Sequence, residues 1–432
     1  MKKLSMGILL SLMILLLTAC DDKVVVTNEN ASTTQSAQKK AETKKEETDK
    51  NSAGEEFVPI PNQVTDEVEL VGMTEDILDS MTLEEKIGQL FVVNLELLDH
   101  SKGDFYEHRK STQTMIDNLK KYNVGGITLF SRNIEKRAQT KQLISDLQGA
   151  SLIPLYVTVD EEGGEVSRIA SNTNMKTTMF PTMEVVGASK DASYAKEIGS
   201  TIGEEIRQLG FNVDFAPVAD VKTNELNTEI GSRAFGAEPS LVSKMVTNVV
   251  KGLQSQGVSA TLKHFPGQGN TDGDSHDGAV NLENDLDHFR EVEAAPFEEG
   301  IKAGADFVMV SHVSISKVTE DSVPASLSSV VITDMLRKEL GFNGVVITDA
   351  MNMKSITNYY NSSQAAVMAL KAGADIILMP DNFEEAYNGI LQAVQNGEIS
   401  QSKIDDAVKR ILTVKIKRGM LTAESPIIER IQ

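Results

Sequence analysis

The 432-residue chain has one cysteine, no tryptophan, and fewer basic than acidic residues. Each shortage closes off a class of function. The cysteine, Cys20, lies near the N-terminus, so the part able to fold has neither a disulfide nor a thiolate metal site. Without tryptophan, a groove that grips a long polymer by stacking indoles is disfavoured, and a small pocket working through hydrogen bonds is the better reading. Lys and Arg number 42 against 63 Asp and Glu, a formal charge of -21, which works against nucleic acid or another polyanion as the main partner. Neutral or locally compensated substrates fit better. The length allows one large or two ordinary domains, with ample apolar content for a core.

What is present begins with Lys2 and Lys3, an apolar run over 4–17, and Leu17-Thr18-Ala19-Cys20. A basic start, an apolar run too short for a comfortable membrane span and small residues at a cleavage point make an export signal over 1–19. The LTAC tetrad resembles a bacterial lipobox, which implies cleavage before Cys20 and acylation of that residue. An ordinary secretory signal is the other reading, and either one exports the chain. Lys, Glu, Thr, Ser, Asn and Gln then dominate to about residue 65. Such a stretch cannot offset the entropy of ordering itself, so 20–67 reads as a flexible polar tether and 68–432 as the folded domain.

Within that domain Ser80 and Thr82 precede Glu84 and Glu85, a helix start. Apolar, β-branched runs follow at 89–94, 126–130, 155–160, 213–220, 259–264, 307–312, 344–349 and 376–380. Amphipathic helical stretches lie between most of them, at 136–148, 192–209, 241–256 and 364–372. Eight continuous apolar strands alternating with helices predict parallel strands covered on both faces. Eight is the number that closes a (β/α)8 TIM-type barrel, although an open doubly wound sheet gives a similar pattern. The polar and Gly residues decide for the barrel, because they follow the C-terminal ends of nearly all the strands instead of one switch point.

The richest of these ends is 262–277, LKHFPGQGNTDGDSHD, a loop too polar to bury and so kept for its side chains. Asp274 and His276, two apart, can meet if the loop turns, giving an imidazole able to exchange a proton near neutral pH. A surface loop with an incidental histidine is the alternative. Asn270, Asp272, Asp274 and Asp277 are spaced somewhat like a calcium loop, but Ser275 and Asn281 stand where such a loop needs Gly and an acid. Asp349 ends the seventh strand, where a carboxylate is costly unless used or bonded; capping a helix from Met351 onward is the bland reading. Asp160 ends the third strand in TVDEEGGEVSR, where a local ion pair among Asp160, Glu161, Glu162 and Arg168 is the competing explanation. Lys263, His264 and Arg233 are weak signals singly. A barrel would gather Asp160, Arg168, Arg233, Lys263, His264, His276 and Asp349 on one face, a set of directional donors and acceptors suited to a polyhydroxylated substrate.

In order from 81 to 380, the segments MTLEEKIGQLF, VGGITLF, VDEEGGEVSR, FNVDFAPVADV, IGSRAFG, KHFPGQGNTDGDSH, MVSHV and GVVITDAMNMKSI resemble the bacterial β-N-acetylglucosaminidase (β-hexosaminidase) branch of glycoside hydrolase family 3, in lipoprotein form. The resemblance implies a (β/α)8 catalytic barrel and a cofactor-free, retaining hydrolase that removes terminal N-acetylglucosamine through a covalent glycosyl-enzyme. It implies Asp349 as nucleophile, His276 as general acid/base and Asp274 as its orienting partner. It further implies sugar contacts at Asp160, Arg168, Arg233, Lys263 and His264, and no metal. The chain departs from the usual KHFPGHG by carrying Gln268. With about fifty residues after the last strand, a barrel alone is expected, its final helix near 403–417. Export and the Cys20 anchor imply a site at the outer face of the bacterial cytoplasmic membrane and peptidoglycan-derived oligosaccharides or muropeptides as partners. A phosphorylase, a β-glucosidase and a non-catalytic wall-fragment-binding lipoprotein remain the alternatives.

Overall fold

The computed structural model describes residues 57–273 and 278–431. Cys20, the export signal and most of the expected tether lie outside the described residues, as do Asp274 and His276.

All eight predicted strands form: β1 (Phe91–Asn94), β2 (Gly126–Thr128), β3 (Tyr156–Val159), β4 (Val213–Asp214), β5 (Ser259–Phe265), β6 (Phe307–Val310), β7 (Val345–Thr348) and β8 (Ile377–Leu378). Their pairing is parallel throughout, in the order β8-β1-β2-β3-β4-β5-β6-β7. The ends of that series meet through a parallel bridge between Ile347 and Ile376, with Thr348 N donating to Ile376 O at 3.0 Å. This closure makes the sheet a TIM-type barrel and rules out the open alternative. Every residue of β1, β2, β3, β5, β6 and β7 is buried, as strands covered on both faces must be.

The helices form where the apolar periodicity predicts them, at Arg137–Gln148, Ala192–Arg207, Pro239–Ser255, Ser362–Ala372 and Gln401–Lys417. Thr82 caps Leu83–Gln89 through Glu85 N, while the Glu85 carboxylate accepts from Thr82 N, so the expected start is a reciprocal capping box. The helix Gln401–Lys417 seals the N-terminal mouth of the barrel; it is not the final one expected, since a short helix, Pro426–Ile431, follows it. Lys415, fully buried, donates to Gln89 Oε1 at 2.8 Å and to Gly125 O at 3.0 Å just below β1 and β2. The Tyr156 hydroxyl donates to Ile411 O at 2.8 Å. Burial alone pushes the Lys415 ammonium down to about 7.

The folded chain starts earlier than residue 68. Gln208 pairs with both backbone groups of Val58 at 2.8 Å, Arg207 Nη1 also donates to Val58 O, and Val64 N donates to Lys417 O at 3.2 Å. These contacts are backbone hydrogen bonds to the helix ends beneath the barrel, made by residues with little hydrophobic periodicity, so the apolar pattern placed the boundary about ten residues late. A helix, Glu67–Ser80, follows at once, capped by Asp66.

Candidate active site

The C-terminal ends of the strands surround a cleft of about 950 Å³. Asp160, Arg168, Arg233, Lys263, His264 and Asp349 all line it. Six of the eight residues singled out for chemistry therefore share one space, and the other two, Asp274 and His276, fall in the undescribed segment. Both flanks of that segment are tied down. Thr271 Oγ1 donates to Gln268 O and accepts from Asn227 Nδ2, and on the far side Ser314 N donates to Val280 O at 2.8 Å. The cleft is larger than the small pocket expected from the lack of tryptophan; Phe105, Phe130 and Phe215 supply the aromatic lining instead.

The cleft is organised by a charged network that crosses the barrel. Lys263, buried at the end of β5, donates to Asp160 Oδ1 at 2.8 Å and lies 2.6 Å from Glu162 Oε1. Arg233 grips the same Glu162 carboxylate with Nε at 2.9 Å and Nη2 at 2.7 Å, a bidentate fork. Burial would raise Glu162, but the Lys263 and Arg233 cations outweigh it and hold it at about 2. Burial likewise works against the Lys263 ammonium, and Asp160 and Glu162 overcome it, raising its pKa. Arg168 stands 3.9 Å from Asp160 Oδ2, so the local ion pair is present but long, and the tighter partner is Lys263, over a hundred residues away.

The turn that brings Glu162 into place depends on glycine. Glu161–Gly163 and Val166–Ser167 form a small antiparallel hairpin, with Gly163 and Gly164 at φ +87° and +68°. A Cβ on Gly164 would sit 2.7 Å from Thr182 Cα, so the neighbouring chain allows no side chain there.

His264 is held from behind. Its Nδ1 lies 2.7 Å from Asp220 Oδ2, while Asp220 Oδ1 accepts from Gln268 N at 2.7 Å and from His264 N at 3.3 Å. One buried carboxylate thus fixes both the ring and the loop after β5. With its proton on Nδ1 facing Asp220, the ring turns Nε2 toward Arg233 Nη2, 3.4 Å away, and the cleft. The Lys263–His264 and Phe265–Pro266 peptides are cis.

Asp349 lies at the floor, half-buried, its backbone N donating to Val310 O at 2.8 Å. It caps no helix. Among the described residues its Oδ1 accepts from the next residue, Ala350 N, at 2.7 Å, and the following helix starts at Lys354 with Met353 as cap. Burial opposes its ionisation, yet the imidazoles of His264 and His312, the Ala350 N–H and Lys263 prevail, keeping the carboxyl below its ordinary range. His312 is itself clamped, with Nδ1 2.8 Å from Ser326 Oγ and Nε2 3.0 Å from Ala350 O. An ionised carboxylate among fixed cations and donors is suited to attack an electron-poor carbon in a hydroxyl-rich substrate.

Sequence reasoning passed over Glu162, Asp220 and His312. Asp220 and His312 end predicted strands, the same position that singled out Asp160 and Asp349, so that signal was available. Glu162 read only as one of several neighbouring charges, since nothing local ties it to Lys263 or Arg233. Among the described residues no cluster of His, Cys, Asp and Glu has the arrangement to hold a metal ion.

Residues 82–414 match the family model for the glycosyl hydrolase family 3 N-terminal domain. The chain is 34% identical over 337 residues to a β-hexosaminidase A of Pseudoalteromonas piscicida, covering 72% of this chain and 56% of that one. It is 32% identical over 339 residues to the β-hexosaminidase LpqI of Mycobacterium tuberculosis, covering 77% and 82% of the two. A solved family 3 β-N-acetylglucosaminidase from Paenibacillus sp. str. FPU-7 superposes with a TM-score of 0.73 at 36% identity, over 81% of this chain and 68% of that one. The chain thus spans little more than half the length of the Pseudoalteromonas protein.

Proposed function

The chain belongs to glycoside hydrolase family 3, and we propose that it is a retaining exo-β-N-acetylglucosaminidase that removes terminal N-acetylglucosamine from peptidoglycan fragments. The observation that carries this reading is the cleft itself: an ionised Asp349 on the floor, facing a fixed set of Lys263, His264, Arg233, Arg168 and Asp160. Relatives named β-hexosaminidase support the choice of sugar.

In this mechanism Asp349 attacks the anomeric carbon as His276 gives its proton to the leaving oxygen. The C–O bond to the leaving group breaks and a glycosyl ester forms on Asp349. His276, neutral after that transfer, takes a proton from water, whose oxygen attacks the same carbon and releases Asp349, so configuration is retained. Asp274 balances the charge on His276 in the protonated state. An imidazole in this role avoids a second anion close to Asp349. Lys263, Asp160, Arg168, Arg233 and the Asp220-held His264 bind the sugar hydroxyls. Acylation at Cys20 would keep the enzyme at the outer face of the membrane; among the described residues no helix is long and apolar enough to cross one.

The test is release of 4-nitrophenol from its N-acetyl-β-glucosaminide by the parent and by Asp349→Asn. Turnover by the parent and none by the variant is expected, with nuclear magnetic resonance of the first-formed sugar giving the β anomer. A first-formed α anomer would rule out the double displacement. Sugar 1-phosphate formed in phosphate buffer would make the enzyme a phosphorylase, and binding without turnover by the parent would make it a wall-fragment receptor.

A further inference from the structure

The loop after β1 carries an aromatic side chain that the chemistry above leaves unused. Phe105 is 78% exposed and sits at φ +60°, a left-handed conformation that a bulky side chain adopts only when its surroundings enforce it. The loop is pinned at both ends. Asp99 accepts from Ser101 N at 3.0 Å and from Thr112 Oγ1 at 2.7 Å, and Asn133 Nδ2 donates to His108 O at 3.1 Å. Among the described residues, five large apolar side chains are exposed on loops that follow the strand ends, Phe105, Tyr106, Met179, Leu226 and Tyr359; of these Phe105 lines the cleft. Its ring is layered. The Arg132 guanidinium lies 5.6 Å from the Phe105 centroid and 4.4 Å from that of Phe130, and Arg132 Nε donates to the buried Glu96 carboxylate.

A cleft of about 950 Å³ stands at the upper end of the roughly 300–1,000 Å³ usual for small-molecule sites, so it has room beyond one terminal sugar. The buried hydrogen-bonding groups around Lys263 hold the terminal ring; an exposed aromatic at the rim meets what leaves. Resting on the glycosidase reading, we propose that Phe105 is the platform for the leaving-group sugar, stacking on the apolar C–H face of a second pyranose ring and selecting β-linked disaccharides and longer fragments over simple glycosides. Phe105 is then a specificity residue outside the bond-breaking machinery.

Two substrates separate this from a role in loop folding: the β-linked disaccharide of N-acetylglucosamine, and N-acetylglucosaminyl β-fluoride, whose leaving group has no ring. Phe105→Ala is expected to lower kcat/KM for the disaccharide about tenfold and leave the fluoride unchanged, and Phe105→Tyr to restore the disaccharide. Equal loss on both substrates, or loss on neither, overturns the platform. A second readout needs no turnover. Since the chain has no tryptophan, Phe105→Trp in an Asp349→Asn background introduces a lone indole as reporter. Its emission should shift with the disaccharide and stay still with N-acetylglucosamine, while calorimetry shows both bound. An indole blind to a bound disaccharide refutes the platform alone. A protein that neither hydrolyses the fluoride nor binds either sugar refutes the glycosidase reading, and the platform with it.

Discussion

Glu162→Gln tests whether the charged network holds the cleft together. The substitution keeps the shape and removes the anion that faces both Lys263, at 2.6 Å, and Arg233, at 2.7 Å. Glu162 is held at about 2 against an ordinary 4.5, and at about 1.4 kcal/mol per tenfold this stabilises the folded protein by about 3 kcal/mol. An independent expectation agrees, since breaking a buried pair from one side costs about 3–5 kcal/mol. The sign follows from a depressed folded pKa: the contribution is complete above about 4.5 and is lost as pH falls toward about 2. Urea unfolding at pH 7 should therefore place Glu162→Gln about 3 kcal/mol below the parent, with the gap narrowing at pH 3. KM for an N-acetylglucosaminide should rise, because Arg233 loses the fork that aims it and Lys263 keeps only Asp160. A variant as stable as the parent at pH 7, with the same KM, would refute the claim that this carboxylate organises the site.

Three further perturbations probe other buried charges. Asp220→Asn should lower kcat/KM about tenfold or more by loosening His264 and the Gln268 N–H together, a charge-assisted bond being worth about 1.5–3 kcal/mol; unchanged kinetics would remove Asp220 from the positioning of His264. Glu293, pushed by burial up to about 8, contributes stability that is full below about pH 4.5 and lost as pH rises toward 8; Glu293→Gln should therefore gain on the parent in melting temperature between pH 5 and 8.5, and parallel curves would contradict the assignment. Lys415 has the opposite slope, because the unfolded chain keeps the proton to about 10.5 while the folded one releases it near 7. The stability of the parent relative to Lys415→Met should therefore rise with pH across that window, as read from the difference in their melting temperatures at pH 6.5, 8 and 9.5, and a constant difference would contradict the assignment.

Most of the barrel was legible because its signal is local and repeated. Each strand is an apolar run of four to seven residues or a piece of one, and each helix carries its own period, so placement needs only a window of neighbours. Asp160 and Asp349 were legible for a related reason: a carboxylate ending an apolar strand has a desolvation cost that must be met by something. Asp220 and His312 carry the same mark, each a polar side chain ending an apolar run. The start of the fold at Val58 was not legible, since what holds it is backbone hydrogen bonding to helix ends distant in sequence.

Glu162 shows where local reading stops. In the sequence it is one acid in DEEGG, and neighbouring Glu161 carries the same charge and side chain. The barrel sends the two in opposite directions. Glu161 turns to the backbone of Ile169 and Ala170, and burial pushes it up to about 7, whereas Glu162 meets two cations and falls to about 2. A strand pleat alone separates these fates, because alternate residues face opposite sides. The side that Glu162 faces is furnished by Lys263 from β5 and Arg233 from the loop after β4. Sequence establishes that charges collect at the strand ends, while the closed geometry determines which of them are ionised and which face the substrate. If Glu161→Gln leaves KM untouched and Glu162→Gln raises it, that division will have been made by the fold, on two residues the sequence does not tell apart.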